Sequence, residues 1–200
     1  IYFDLINNVL LYRELYKKLA KEHTGVLTGK GLNWGGSLVR PEATGFGNVY
    51  FAQEMLATKA DTLKGKTVAI SGFGNVAWGA ALKATELGAN VVTISGPDGY
   101  IFDPNGMDAT KIDFVAPYAN EFPGSTFFAG KKPWEQKVDI ALPCATQNEL
   151  NGDDAKKLVA NGCILVGEGA NMPSTEEAIK VFHDNKILFS PGKASNAGGV

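Results

Sequence analysis

The stretch that decides the fold is Thr67-Val-Ala-Ile-Ser-Gly-Phe-Gly-Asn-Val-Ala77. Its first five residues are a short run rich in β-branched side chains, which predicts a strand. The residues at 76–87 predict a helix, because Gly88 follows them as a typical helix end. Between strand and helix, residues 72–77 have the G-x-G-x-x-G/A spacing of a turn that binds the pyrophosphate of a dinucleotide.

Each position of this turn has a physical reason. Gly72 permits the tight turn, Gly74 lets the backbone approach a pyrophosphate, and Ala77 in place of a third glycine still permits close packing of helix on strand. The start of the helix then offers N–H groups and a partial positive charge to the phosphates. A glycine-rich turn that holds no ligand is the alternative interpretation of the same spacing.

Outward from this stretch, short apolar runs alternate with helical patterns. Such alternation predicts parallel strands joined by crossover helices, with helices on both faces of the sheet. The predicted fold is α/β: a doubly wound, mostly parallel, Rossmann-like sheet with an N-terminal helical segment. Further strands are predicted at 91–95, 125–128, 138–143, 164–166 and 187–190, and helices at 41–58, 153–160, 174–184 (opened by a capping box at Ser174) and from 195.

One dinucleotide-binding domain is expected over residues 1–200. Apolar residues at three- and four-residue steps predict a helix within 1–23, and the Gly- and Thr-rich residues 24–47 predict a loop. We therefore expect an N-terminal helix and connecting loop at 1–40 and a Rossmann-like core at 41–200.

The residues after the second predicted strand bear on the choice of cofactor. A carboxylate there accepts from the ribose 2′-hydroxyl of NAD, whereas an arginine suits the 2′-phosphate of NADP. The sequence is Ser95-Gly-Pro-Asp98-Gly, with no Arg or Lys close by. This favours NAD, or the use of both cofactors. The alternative is that Asp98 is only a turn residue in Pro-Asp-Gly.

Three further loops, at 143–148, 167–173 and 193–200, follow predicted strands and combine small residues with Asn or Thr. Ligands of open α/β sheets bind at the carboxyl ends of the strands. Hydroxyls and amides can hold ribose and carboxamide without adding charge. One Asn after a strand is usually a cap or turn residue, but three such loops on one edge favour a binding role.

Six stretches stand in a fixed order along residues 24–200. They are Thr24-Gly-Val-Leu-Thr-Gly-Lys-Gly, Gly35-Gly-Ser-Leu-Val-Arg-Pro-Glu-Ala-Thr-Gly, Gly72-Phe-Gly-Asn-Val-Ala-Trp-Gly, Cys144-Ala-Thr-Gln-Asn, Gly169-Ala-Asn-Met-Pro and Ser195-Asn-Ala-Gly-Gly. Together they resemble the glutamate dehydrogenases of the small-subunit, hexameric bacterial type. Residues 1–16 match that family poorly, and the chain looks shorter than the family pattern at 107–115.

The resemblance implies the reversible oxidative deamination of L-glutamate to 2-oxoglutarate and ammonia, with NAD or NADP as cofactor. It places Thr44 and Asn75 at the nicotinamide half, and Val200 at the substrate side chain. It also implies that several residues at the ends of strands line the cofactor cleft. The full set of expected cofactor-binding residues is Thr44, Gly72, Gly74, Asn75, Val76, Ser95, Asp98, Ala145, Thr146, Asn171 and Asn196.

No catalytic residue is expected in this chain. In the family that it resembles, the catalytic lysine and the acid/base aspartate belong to a domain upstream of Ile1, and a substrate-binding serine falls beyond Val200. Lys30 and Lys193 lie in glycine-rich loops but match none of these roles, so we set them aside. The chain alone is expected to bind cofactor without turnover, and the full-length protein to be a homo-oligomer, a hexamer.

Composition argues against several kinds of partner. The net charge is −2 at pH 7, so neither nucleic acid nor an anionic membrane is an expected partner. No apolar run approaches the roughly 18 residues of a membrane span, and the first residues lack the basic region of a signal peptide. Cys144 and Cys163 sit in apolar runs, as expected for buried thiols of a cytoplasmic protein and not for a disulfide or metal site.

Two other functions stay open from the sequence alone. One is a dehydrogenase of branched-chain or aromatic amino acids, although residues 35–45 and the Asn171-Met-Pro loop favour glutamate. The other is a non-catalytic sensor that binds NAD(H). A sensor that also reads DNA would need a more basic helix than residues 1–23 provide.

Overall fold

The structure is a computed structural model, which describes residues 41–107 and 124–199 together with residues 15, 18–21, 32, 38 and 40. The chain divides into two compact units, Ile1–Arg40 and Pro41–Val200. The predicted helix within 1–23, most of the predicted loop at 24–47, the short region at 107–115 and Val200 lie largely or wholly outside the described residues. The second unit carries the predicted core.

The described residues of this unit form a seven-stranded sheet in the order β4-β3-β2-β1-β5-β6-β7. β2, β1, β5, β6 and β7 are parallel to one another, whereas β3 and β4 add an antiparallel edge. The strands are β1 (Thr67–Ile70), β2 (Asn90–Gly96), β3 (Gly99–Phe102), β4 (Thr126–Ala129), β5 (Ile140–Leu142), β6 (Leu165–Gly167) and β7 (Leu188–Ser190). The predicted α/β, doubly wound and mostly parallel sheet is confirmed.

Helices cover both faces of the sheet. They are α1 (Ala43–Ala57), α2 (Asn75–Glu86), α3 (Gly152–Ala160), α4 (Glu176–Asp184) and the short α5 (Gly192–Ser195), with 3-10 turns at Pro133–Glu135 and Ala197–Gly199. In β1, Val68 and Ile70 join the cluster under α1 and α2. Ala69 joins the cluster with Trp134 and Phe182 on the opposite face. Alternate residues of one strand thus feed two cores, which explains why the strand is apolar throughout.

The edge of the sheet differs from the prediction in one element. Residues 99–102 were not predicted as a strand, yet they form β3, which pairs antiparallel with both β2 and β4. The reason is the Pro97-Asp98 turn: it joins β2 to β3 directly, with Gly96 opposite Gly99. The Pro-Asp-Gly signal therefore marks a two-residue hairpin connection and not a longer loop.

Two helix starts are also corrected. The residue that caps α4 is Thr175 and not Ser174, because the Thr175 side chain accepts a hydrogen bond from the Ala178 N–H. The final helix begins at Gly192 and ends at Ser195, where the sequence predicted a start. The other predicted helices and strands agree with the structure to within about three residues, which is the usual uncertainty of boundaries.

Candidate dinucleotide-binding site

The turn between β1 and α2 has the backbone that its glycines predict. Gly72 has a φ of +88°, which favours glycine. A Cβ on Gly72 would lie 2.9 Å from the Cys144 carbonyl oxygen, so this turn packs against the loop after β5. Gly74 differs: its φ is −81°, and a Cβ there would meet no described atom within 4 Å. The missing side chain at Gly74 therefore leaves open space beside the start of α2.

The start of α2 lacks an internal anion. Within the described part of the chain, no side chain caps Gly74, and no acidic residue stands in the first turn of this helix. The partial positive charge of the helix start thus faces the open space beside Gly74 without a carboxylate of its own. Asn75 is exposed at this end, and Val76 is partly buried against the core.

Ser95 lies beside this turn, but its side chain is occupied. Ser95 is 8% exposed, and its Oγ accepts a hydrogen bond of 2.9 Å from the Gly72 N–H. The hydroxyl therefore supports the turn from behind. Ser95 therefore stabilises the backbone of Gly72, and its role in cofactor binding stays a prediction.

Asp98 occupies the hairpin turn between β2 and β3, where its side chain is exposed. Its carbonyl oxygen accepts a hydrogen bond of 2.8 Å from the Gly130 N–H, which anchors the turn to the end of β4. The turn lies at the carboxyl end of β2, on the same edge of the sheet as Gly72. Asp98 therefore presents an exposed carboxylate just beyond the carboxyl end of β2.

The loop after β5 contains a carboxylate that was not predicted. Glu149 Oε1 accepts hydrogen bonds from the N–H groups of Ala145 (3.0 Å) and Thr146 (3.3 Å). Its carboxylate also accepts from the Ser71 hydroxyl, which in turn accepts from the Cys144 N–H at 2.9 Å. Burial raises the pKa of Glu149 above its usual range, against the effect of these hydrogen bonds. Its sequence signal was an acidic residue in an otherwise uncharged strand-end loop.

The loops after β6 and β7 meet, as predicted. The Asn196 side-chain amide donates a hydrogen bond of 2.8 Å to Asn171 Oδ1. Beneath this pair, the buried Glu168 accepts from the Ser174 N–H (3.2 Å) and the Gly192 N–H (2.8 Å). Glu168 therefore ties the two loops together, a contact between distant segments that sequence reasoning missed.

Thr44 reaches the same edge from the first turn of α1. A Cβ on Gly199 would overlap Thr44 Oγ1, so the two residues are in close contact. Deeper in α1, the fully buried Asn48 donates to the Gly167 carbonyl at 3.2 Å, while its own side-chain oxygen has no partner among the described residues. Asn48 thus fixes α1 against the end of β6 and was not predicted.

Neither cysteine is placed for nucleophilic chemistry. Cys144 and Cys163 are both buried and free, as predicted. Burial raises the pKa of Cys144 far above that of an ordinary thiol and the pKa of Cys163 to about 12. No group of His, Cys, Asp and Glu residues in the described ranges could hold a metal ion. No helix among those residues is both long and apolar enough to span a membrane.

The arrangement as a whole matches one family of proteins. The sequence pattern of the Glutamate/Leucine/Phenylalanine/Valine dehydrogenases covers residues 35–200. The chain belongs to this family.

Individual relatives within the family carry glutamate in their names. The NAD-specific glutamate dehydrogenase of Bacteroides fragilis (strain YCH46) is 66% identical over 197 residues, which is 93% of this chain and 44% of that protein. The NADP-specific glutamate dehydrogenase of Haemophilus influenzae (strain Rd) is 54% identical over 92% of this chain and 43% of that protein. The crystal structure of Plasmodium falciparum glutamate dehydrogenase superposes with a TM-score of 0.81 at 43% identity, over 94% of this chain and 42% of that one.

The chain therefore spans less than half the length of these members of the dehydrogenase family. Three features of the described residues fit a dinucleotide. They are the open space at Gly74, a first turn of α2 without an acidic residue, and polar side chains on neighbouring loops at the carboxyl ends of the strands.

Proposed function

We propose that this chain is the dinucleotide-binding part of a glutamate dehydrogenase, which interconverts L-glutamate with 2-oxoglutarate and ammonia. The observation that carries the proposal is the open space beside Gly74 at the uncapped start of α2. Helix starts of this kind bind the phosphates of dinucleotides in doubly wound folds. The names of the similar proteins supply the substrate.

The residues of the chain divide the cofactor between them. The backbone from Gly72 to Val76 holds the pyrophosphate, and Asp98 with the end of β2 holds the adenosine ribose. The nicotinamide half lies against Thr44, Asn75 and the loops after β5, β6 and β7. In these loops the polar contacts are Thr146, Asn171 and Asn196, with Ala145 beside them. A bound nicotinamide would supply the hydride acceptor for oxidation of the amino acid, and the hydride donor for reduction of the imine that the oxo acid forms with ammonia.

We propose NAD as the preferred cofactor. The exposed carboxylate of Asp98 stands where a 2′-phosphate would meet repulsion. The relatives at 66% and 59% identity that carry a specificity in their names are called NAD-specific, which supports this choice. The alternative is NADP, for which a relative at 54% identity is named as specific.

The groups that activate water and hold the substrate carboxylates are assigned to parts of the protein beyond these 200 residues, because the relatives are more than twice as long. The chain alone then binds the dinucleotide and does not turn over. We further propose a small-molecule substrate next to Val200, a cytoplasmic location and a homo-hexamer for the complete protein, all from the family resemblance.

The test uses the complete polypeptide that carries this sequence. Titration calorimetry with NADH and NADPH is paired with assays of L-glutamate, L-leucine, L-phenylalanine and L-valine as substrates. We expect NADH to bind, and glutamate to be oxidised faster than the other three amino acids. Faster oxidation of another amino acid would mean that glutamate is not the substrate. NADH binding without turnover of any of the four amino acids would favour a non-catalytic NAD(H) sensor.

A Gly74→Val variant tests the phosphate assignment separately. A Cβ at this position meets no described atom, so the fold should survive and its thermal unfolding should stay close to that of the wild type. The added side chain fills the space that the pyrophosphate needs, so NADH binding should be lost. Unchanged affinity in this variant would reject the phosphate site.

A further inference from the structure

The loop after β5 presents a contrast inside the proposed cofactor site. Ala145 and Thr146 are exposed on this loop, yet both of their N–H groups point inward to one oxygen of Glu149. Two consecutive N–H groups that converge on one oxygen fix the direction of both peptide planes. The N–H groups of Ala145 and Thr146 are therefore turned away from a ligand, whereas the Thr146 side chain is exposed.

Glu149 is itself held in place from two sides. The Ser71 hydroxyl donates to its carboxylate, and Ser71 directly precedes the Gly72 turn. The Glu149 carbonyl oxygen accepts from Lys132 Nζ at 2.6 Å. The carboxylate thus links the end of β1 to the loop after β5, and Lys132 fixes the backbone from the outside.

Burying the Glu149 carboxylate at this place costs desolvation free energy. Burial disfavours the charged form of Glu149, so the carboxylate lies at this place against a desolvation penalty. The two N–H groups that it binds belong to exposed residues, which water could satisfy equally well. Ser71 is fully buried, so its contact with the carboxylate serves the stability of the fold, whereas the contacts with the two exposed N–H groups set the conformation of the loop.

We infer that Glu149 is a positioning residue for the cofactor: it sets the conformation of the 145–146 loop, and through it the affinity for the dinucleotide. This inference rests on the proposed function, because it takes the loop to be part of the cofactor site. Glu149 does not touch the cofactor itself. It acts as an acceptor, so any side chain that keeps an oxygen at the same place should keep the loop in order.

The experiment compares three variants of the complete polypeptide, with NADH as the titrant, at a temperature well below unfolding. Glu149→Ala removes the acceptor of the two loop hydrogen bonds. The Kd for NADH should rise by about five- to tenfold, which corresponds to the loss of one or two hydrogen bonds. Glu149→Gln keeps one oxygen that can accept from both N–H groups, and should stay within about twofold of the wild-type Kd. Glu54→Ala, an exposed glutamate on α1, serves as the matched control and should leave the Kd unchanged.

The outcomes separate cleanly. Wild-type affinity in Glu149→Ala overturns the inference, and equal weakening by Ala and Gln overturns it as well, because charge and not acceptor geometry would then matter. If Glu149→Ala does not fold, Ser71→Ala carries the test: its Kd should rise by about two- to threefold, and an unchanged Kd overturns the inference. A wild-type protein that binds neither NADH nor NADPH would instead reject the proposed function.

Discussion

Two helices that follow neighbouring strands, α2 after β1 and α3 after β5, begin in opposite ways. α3 starts at Asn151, whose side chain accepts from the N–H groups of Asp153 and Asp154, while the Asp154 carboxylate accepts from the Asn151 N–H. α2 starts at Gly74 without a side-chain cap and without an acid in its first turn, as far as the described residues show. The same helix dipole is neutralised from within at α3 and left to face open space at α2.

The difference separates a helix start that is stabilised by its own side chains from one that stays accessible. A capping box stabilises its own helix and leaves little for a ligand. A glycine at the same position contributes less stability, yet it keeps the helix start accessible to an external anion. The two ends can be exchanged by mutation, which gives the predictions below.

The largest effect is expected when α2 receives an anion of its own. Gly74→Asp places a carboxylate at the cap position, where it should add a few tenths of a kcal/mol to the stability of the fold, roughly a one-degree rise in Tm. The same carboxylate repels the pyrophosphate and occupies its space, so the affinity for NADH should fall by at least about 100-fold. Thermal unfolding and titration calorimetry measure the two effects.

Gly74→Asn separates charge from bulk in this experiment. It has the same size and also caps a helix, but it carries no charge. It should weaken NADH binding less than Gly74→Asp does. A Gly74→Asp protein that is less stable than the wild type, or one that binds NADH as tightly, would contradict the comparison between the two helix starts.

The reverse change at α3 should affect stability alone. Asn151→Ala removes the acceptor of two hydrogen bonds at the helix start and should cost about 1 kcal/mol of unfolding free energy. The NADH affinity should stay within twofold, because the hydrogen bonds of the Asn151 side chain go to the first turn of α3 and not to the residues proposed to bind the cofactor. Denaturant unfolding and calorimetry on the same samples check this, and a parallel loss of affinity would mean that the two helix starts are coupled.

Much of this contrast could be predicted from the sequence. The Gly72-Phe-Gly74 turn stands between a β-rich run and a helical run, and local patterns of that kind depend little on the rest of the chain. The parallel strands followed from their apolar runs. β3 was missed because the Pro-Asp-Gly turn was recognised without the short strand at 99–102 that it joins to β2.

The supporting carboxylates could not be predicted in the same way. Glu149 binds Ser71 and two amides of its own loop, and Glu168 joins two loops that are more than twenty residues apart in sequence. Such contacts depend on which strands become neighbours, and this is decided by the order of the whole sheet. Sequence reasoning therefore proposed residues for the ligand, which stay a prediction, and missed the carboxylates that hold the loops together.

A smaller effect is expected at the adenosine end of the site. Asp98→Ala removes the exposed carboxylate of the hairpin turn without touching the Asp98 carbonyl, which anchors the turn to Gly130. The affinity for NADH should fall by about fivefold, the value of one hydrogen bond from a ribose hydroxyl to a charged group, and the affinity for NADPH should rise. Competition between the two cofactors measures the ratio. An unchanged ratio would make Asp98 a turn residue only.

The smallest effect is the pH dependence of stability that Glu149 confers. Burial raises the pKa of Glu149, so the folded state holds its proton more tightly than the unfolded state does. The contribution of Glu149 to stability is therefore fully present below the pKa of an ordinary glutamate and declines as the pH rises through its raised pKa. Relative to Glu149→Gln, which does not titrate, the wild type should lose unfolding free energy as the pH rises above the ordinary pKa of glutamate and through the raised pKa of Glu149. Denaturant unfolding of both proteins at a series of pH values measures the difference. A wild type that instead gains stability over Glu149→Gln as the pH rises would mean that its hydrogen bonds outweigh its desolvation, and that the anion at this loop, like the one at α3, serves the fold.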